Sequence, residues 1–242
     1  MLKQRLREYF KFLKSLFKTN IRLLYGMWRL TKLPQPAITI FGSARVDSSS
    51  EIYQQARKMA KLLAAEEFSI ITGGGPGIMD AANQGAIDHL KEKHLETFLQ
   101  HKEIITAGIG LIRLNKEFKS PFVQEYMEMQ HFFARKWLLV RYSVGFVVFP
   151  GGFGTLDELL EVITLVQCNR MAKVPIVLIN RTYWAPFLQW VEKCTQYGGF
   201  IDKDDADIIT VFDDIELAAK FIIEKCCTTK QSVLHKETDF KE

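Results

Sequence analysis

The sequence predicts an α/β fold, a doubly wound and largely parallel sheet with helices on both faces, preceded by a basic helix. Three observations predict it. Short apolar runs alternate with longer amphipathic segments from residue 37 to residue 227, the pattern of right-handed βαβ crossovers. Three of the apolar runs end in turns of small residues, Gly42-Ser43-Ala44, Gly73 to Gly77 and Gly151 to Gly154, and sheets of this kind hold their ligands outside the carboxyl ends of strands. The 242 residues, 48% apolar and 25% charged, suffice for one such domain with a full core.

Each element has its own signal. Residues 1–33 read as a basic helix with Leu2, Leu6, Tyr9, Leu13, Leu16 and Phe17 roughly along one face. Two readings are open for it. The plainer is an added helix packed on the domain or on a second subunit; the other is a helix lying on an anionic membrane surface, a peripheral contact. Pro34 and Pro36 mark the entry to a domain spanning 34–227. Strands are expected at 37–41, 68–72, 104–109, 146–149, 175–179 and 208–212. Helices are expected at 51–66, 78–90, 131–143, from Thr155 onward, 183–197 and 213–227. The segment 111–130 is of mixed polarity and yields no element, and the tail 228–242 is polar and expected to fray.

Charge is distributed unevenly. The net charge is +4, yet residues 1–33 hold nine basic side chains and one acid, a net of +8 that leaves −4 for the rest. A mildly acidic body gives no argument for nucleic-acid binding. The start of the chain is broken by a charge every few residues, unlike a secretion signal, and no apolar run is long enough to span a bilayer. Four cysteines without CxxC spacing read as free thiols in a reducing compartment, so a cytoplasmic protein is expected.

The chemistry concentrates in GFVVFPGGFGTLDELLEVITLVQ, residues 145–167. An apolar strand leads through Pro150-Gly151-Gly152-Phe153-Gly154 into a helix, and such a turn aims backbone N–H groups and the positive helix end at one spot. That spot suits phosphate. Neither Gly75-Pro76-Gly77 nor Gly152-Phe153-Gly154 extends to the G-x-G-x-x-G of dinucleotide sites, and no G-x-x-x-x-G-K-[ST] occurs, so a monophosphate is the economical ligand. The five histidines form no ligand cluster, and neither a metal nor a cofactor is expected.

At these residues the chain resembles a known family. Gly73-Gly74-Gly75-Pro76-Gly77-Ile78-Met79 and Pro150-Gly151-Gly152-Phe153-Gly154-Thr155-Leu156-Asp157-Glu158, with Arg135-Lys136 between them, resemble the LOG ("Lonely guy") family of cytokinin riboside 5′-monophosphate phosphoribohydrolases, often mislabelled lysine decarboxylases. The likeness covers roughly residues 37–225. It implies a Rossmann-like domain, a homodimer, and release of a free base and ribose 5-phosphate from a nucleoside 5′-monophosphate. It implies that Gly152, Gly154 and Thr155, with Gly151 beside them, hold the 5′-phosphate, and that Arg135 and Glu158 are the catalytic pair. Lys136 matches the partner of that arginine, Thr164 falls where the family contacts ligand across the helix, and Glu117 lies at the distance of a further substrate-binding acid.

Several residues carry two readings. Thr155-Leu156-Asp157-Glu158 also spells a capping box, which would fold Glu158 back on its own helix start. Asp157 suits either the site or the helix dipole. Glu161, one turn beyond Glu158, either reaches the cleft or pairs at the surface. Gly42, Ser43, Gly74, Gly75 and Met79 border the cleft if the strand ends converge; otherwise they serve conformation or core. A carboxylate at Glu158 would stabilise positive charge growing on a ribose ring or activate the attacking water. The competing class is a nucleotide-binding regulatory protein that keeps the cradle without the turnover.

Overall fold

The computed structural model describes residues 2–97, 103–112, 119–196 and 199–233. Its sheet runs β4-β3-β2-β1-β5-β6-β7, with β1 Ala37–Phe41, β2 Ser69–Thr72, β3 Thr106–Leu111, β4 Glu125–Met129, β5 Ser143–Val148, β6 Ile176–Ile179 and β7 Ile209–Phe212. Every pairing is parallel. The chain winds outward from β1 to β4, then returns to the other side of β1 with β5, so the winding reverses between β1 and β5. That reversal opens a crevice at their carboxyl ends. The expected Rossmann-like class is the fold observed.

Helices cover both faces. α2 (Glu51–Ala65), α3 (Ile78–Thr97) and α8 (Ile215–Val233) close one core with Met59, Leu63, Ala82 and Ile222. α1 (Leu2–Leu30), α4 (Phe132–Arg141), α5 (Phe153–Gln167) and α6 (Arg181–Gln196) close the other with Leu30, Leu138, Leu159 and Trp184. A short α7 (Lys203–Ala206) precedes β7. The central strands are apolar and buried on both faces, as a doubly covered parallel sheet demands.

Three details differ from the sequence expectation. Residues 125–129 form β4, an edge strand whose charged Glu125 and Glu128 hide the apolar alternation of Met127 and Met129. Glu125 is nonetheless buried, because Arg29 from α1 reaches across to pair with it. α5 begins at Phe153, two residues before Thr155, with Gly152 as its extended cap. α8 continues to Val233, six residues past 227.

Candidate active site

The strand ends converge through the backbone of Ser43. Its N–H donates to Pro150 O at 3.0 Å, while its carbonyl accepts from Ile78 N at 3.0 Å. The turn after β1 is thereby stitched to the turn before α5 and to the start of α3. Gly42 permits this contact, since a Cβ there would sit 2.6 Å from the Ile78 side chain.

The helix mouth of α5 is open. Gly152 caps it without any side-chain hydrogen bond, and the first N–H groups of a helix have no intrahelical acceptor. A Cβ added at Gly152 or Gly154 would meet nothing within 4 Å, so the flank of the turn at these two residues is open. Gly151 is different: a Cβ there would collide with Thr155 Oγ1 and lie 3.0 Å from Ser43 N. Thr155 is buried in the first turn, with its hydroxyl directed at that glycine. Tyr183 Oη, from α6, donates to Gly151 O at 2.5 Å and pins the outer edge of the turn. Sequence reasoning passed over Tyr183, for no motif signals a tyrosine that reaches back 32 residues.

One turn deeper, Glu158 Oε1 accepts from Arg135 Nη1 at 2.5 Å, and both side chains are 11% exposed. The capping-box reading is overturned, since Gly152 takes the cap position and Glu158 turns to α4. Arg135 is held on a second side by Ile109 O, 2.9 Å from its Nε, and its guanidinium fills the space a side chain on Gly73 would need. Burial pushes the Glu158 carboxyl above its ordinary value; the charge and hydrogen bond of Arg135 pull the other way without cancelling it.

Lys136 faces another part of α5, with Asp157 Oδ1 at 2.7 Å and Glu161 Oε2 at 3.0 Å. Burial opposes its charge, but the hydrogen bonds to these two acids prevail and hold the ammonium above its ordinary range. Thr164 shares the Asp157 and Glu161 side of the helix, is exposed, and donates to Leu160 O at 2.7 Å. Nine residues past Thr155, it lies about 14 Å along the axis from the cradle. Glu117 lies outside the described residues.

The second glycine turn borders the same crevice. Gly74 and Gly77 have φ of +70° and +68°, a region in which glycine is favoured. A Cβ on Gly74 would sit 2.6 Å from the Tyr126 ring, and one on Gly77 would strike Ser43 O. Gly75 is buried, and Met79 packs beside Gly73 near Arg135. Tyr126, another residue that sequence reasoning missed, lies in the illegible segment; its ring covers Gly74, Gly108 and Gly110, and Lys119 Nζ sits 4.7 Å from its centre.

A doubly wound parallel sheet with a glycine-capped helix mouth and a buried carboxylate–guanidinium pair at its strand ends defines the class: a Rossmann-like α/β protein. The family described as "possible lysine decarboxylase" matches residues 79–222, and "SLOG cluster4 family" matches residues 35–91. The chain belongs to the first of these, the family it shares with the LOG proteins. It is 31% identical to the rice protein called probable cytokinin riboside 5′-monophosphate phosphoribohydrolase LOGL2, over 66% of this chain and 62% of that protein. The rice cytokinin riboside 5′-monophosphate phosphoribohydrolase LOG is 30% identical over 69% and 64% respectively. A pyrimidine/purine nucleotide 5′-monophosphate nucleosidase of Escherichia coli is 29% identical over 58% of this chain, which spans 30% of that longer protein. Among solved structures, the molybdenum cofactor carrier protein of Chlamydomonas reinhardtii superposes with TM-score 0.57 at 19% identity, covering 80% of this chain and 99% of that one; this likeness is one of fold.

Proposed function

We propose that the protein hydrolyses the N-glycosidic bond of purine nucleoside 5′-monophosphates, AMP or N6-modified adenylates, releasing the free base and ribose 5-phosphate. The observation that carries this reading is the placement of buried Glu158, paired with Arg135, one helical turn beyond an unobstructed amide cradle. The 5′-phosphate sits before Gly152, Gly154 and Thr155, where the helix dipole and free N–H groups favour negative charge. The ribose then lies over Glu158. As the C1′–N bond lengthens, the ring gains positive charge that the carboxylate stabilises. Water adds to C1′, giving up a proton as the departing base takes one, and ribose 5-phosphate remains. Arg135 orients Glu158 and offsets part of the cost of ionising it in a buried place, and Lys136 ties α4 to α5 through Asp157 and Glu161.

Two further parts belong to this reading. The chain works as a homodimer: α4 and α5 expose Phe132, Phe133, Trp137 and Leu160 beside Thr164, an apolar face suited to a second copy. The cytoplasm supplies the nucleotide and suits Cys168, Cys194 and Cys226, none of which is in a disulfide. No helix among the described residues is long and apolar enough to cross a membrane.

The deciding experiment incubates the protein with a panel of nucleoside 5′-monophosphates and follows free base by chromatography. Release of adenine from AMP or of its N6-modified form is the expected result. Silence across the panel, with AMP still raising Tm, would replace the hydrolase by a nucleotide-binding regulator.

A further inference from the structure

α1 has three distinct sides. One meets the domain: Ser15 Oγ lies 3.0 Å from His131 Nε2, Arg22 donates to Glu128 O, Gly26 packs under Leu138 and Met129, and Leu30 is fully buried. At 100° per residue, a second side collects Tyr9, Phe10, Leu13, Phe17, Leu24 and Trp28, turned away from the domain. Phe10, Phe17 and Leu24 are 65%, 67% and 64% exposed. The third side, about a third of a turn from the apolar one and flanking it, carries Arg7, Lys11, Lys14 and Lys18. The only acid on the helix, Glu8, is taken by Lys11 at 2.7 Å.

We propose that the apolar side of α1 docks this chain onto the surface of an anionic lipid bilayer. The aromatic and leucine side chains enter the headgroup–acyl boundary, and the lysines and arginines stay at the headgroups on extended stems. Charge selects this occupant over a second copy of the helix. Two α1 helices joined through their apolar sides would bring two strongly cationic segments together, and the helix has no acid free to offset them. An anionic bilayer supplies an apolar layer and the opposing charge together. Lys32 Nζ over the Trp28 ring at 4.1 Å places an aromatic body and a cation side by side, as the membrane boundary favours. The helix is too charged to span, so it lies on the membrane rather than through it.

The test sediments the full chain with vesicles of phosphatidylcholine alone and with vesicles containing about one third phosphatidylglycerol. Pelleting with the anionic vesicles only, weakened by salt, is expected. The triple variant Phe10→Glu, Phe17→Glu, Leu24→Glu should lower partitioning by at least about tenfold, with the circular dichroism of the domain unchanged because all three side chains point to solvent. The charge variant Lys11→Glu, Lys14→Glu, Lys18→Glu should do the same. No pelleting of the wild type at low salt would overturn the proposal, as would undiminished pelleting of the triple variant. So would a wild-type oligomer that ignores vesicles and falls apart in the triple variant, which would assign the face to a second copy.

Discussion

The two longest glycine turns lie in one crevice and do opposite things. After β2, the glycines let the protein touch itself: Gly73 makes room for Arg135, Gly74 for Tyr126, and Gly77 for Ser43. After β5, Gly151 is packed in the same way, but Gly152 and Gly154 face empty space. A glycine that admits a neighbouring side chain is part of the fold's packing, whereas a glycine facing nothing at a helix mouth leaves backbone amides free for a ligand. The packed turn also serves the open one. It seats Arg135, and Arg135 in turn pairs with Glu158, one helical turn past Thr155.

The largest effect expected on this contrast comes from the acid at the open turn. Glu158→Gln should keep AMP binding, seen as a retained rise in Tm with AMP, while turnover falls by about 10³-fold. An undiminished rate would remove Glu158 from the chemistry. At the packed turn, Gly77→Ala forces a side chain onto a left-handed backbone and into Ser43 O. Chemical denaturation should show a loss of about 2–4 kcal/mol, against a change within about 1 kcal/mol for Gly152→Ala, whose φ of −88° is open to any residue. Equal losses at the two positions would erase the distinction.

Two smaller effects sharpen it. Because burial outweighs Arg135, the folded-state pKa of Glu158 lies above its ordinary 4.5. An acid shifted upward contributes its stability below that ordinary value and loses it as pH rises through the folded pKa. The carboxylate needed for turnover forms across the same window, so the acidic limb of kcat/KM should fall above the ordinary carboxylate range. Arg135→Met removes the downward pull and should shift that limb to still higher pH, read from the pH–rate profile. The mildest change is Gly154→Ala, which should stabilise the helix start by about 0.5–1 kcal/mol in thermal unfolding while weakening AMP binding, since the new methyl stands on the open flank of the turn.

Much of this was legible beforehand. Six of the seven strands announce themselves as apolar runs, and the glycine turns and the Arg135-Lys136 pair stand out in the sequence. β4 did not, because Glu125 and Glu128 look like solvated residues. Glu125 is buried only because Arg29, nearly a hundred residues earlier, comes to meet it. Tyr126 was hidden in the same segment, and Tyr183 carries no local pattern at all. α5 starts two residues before Thr155, the residue that resembles a cap, because the extended Gly152 takes the cap position without a side chain.

The order of elements, the three small-residue turns and a cationic helix with a separate apolar side follow from local periodicity and glycine spacing, which neighbouring residues fix among themselves. Which turn stays empty, and whether Glu158 bends back to its own helix or crosses to Arg135, follows from how α4 and α5 pack against the ends of β3 and β5. Those choices depend on distances between residues far apart in the chain, and such distances exist only once the sheet has brought them together.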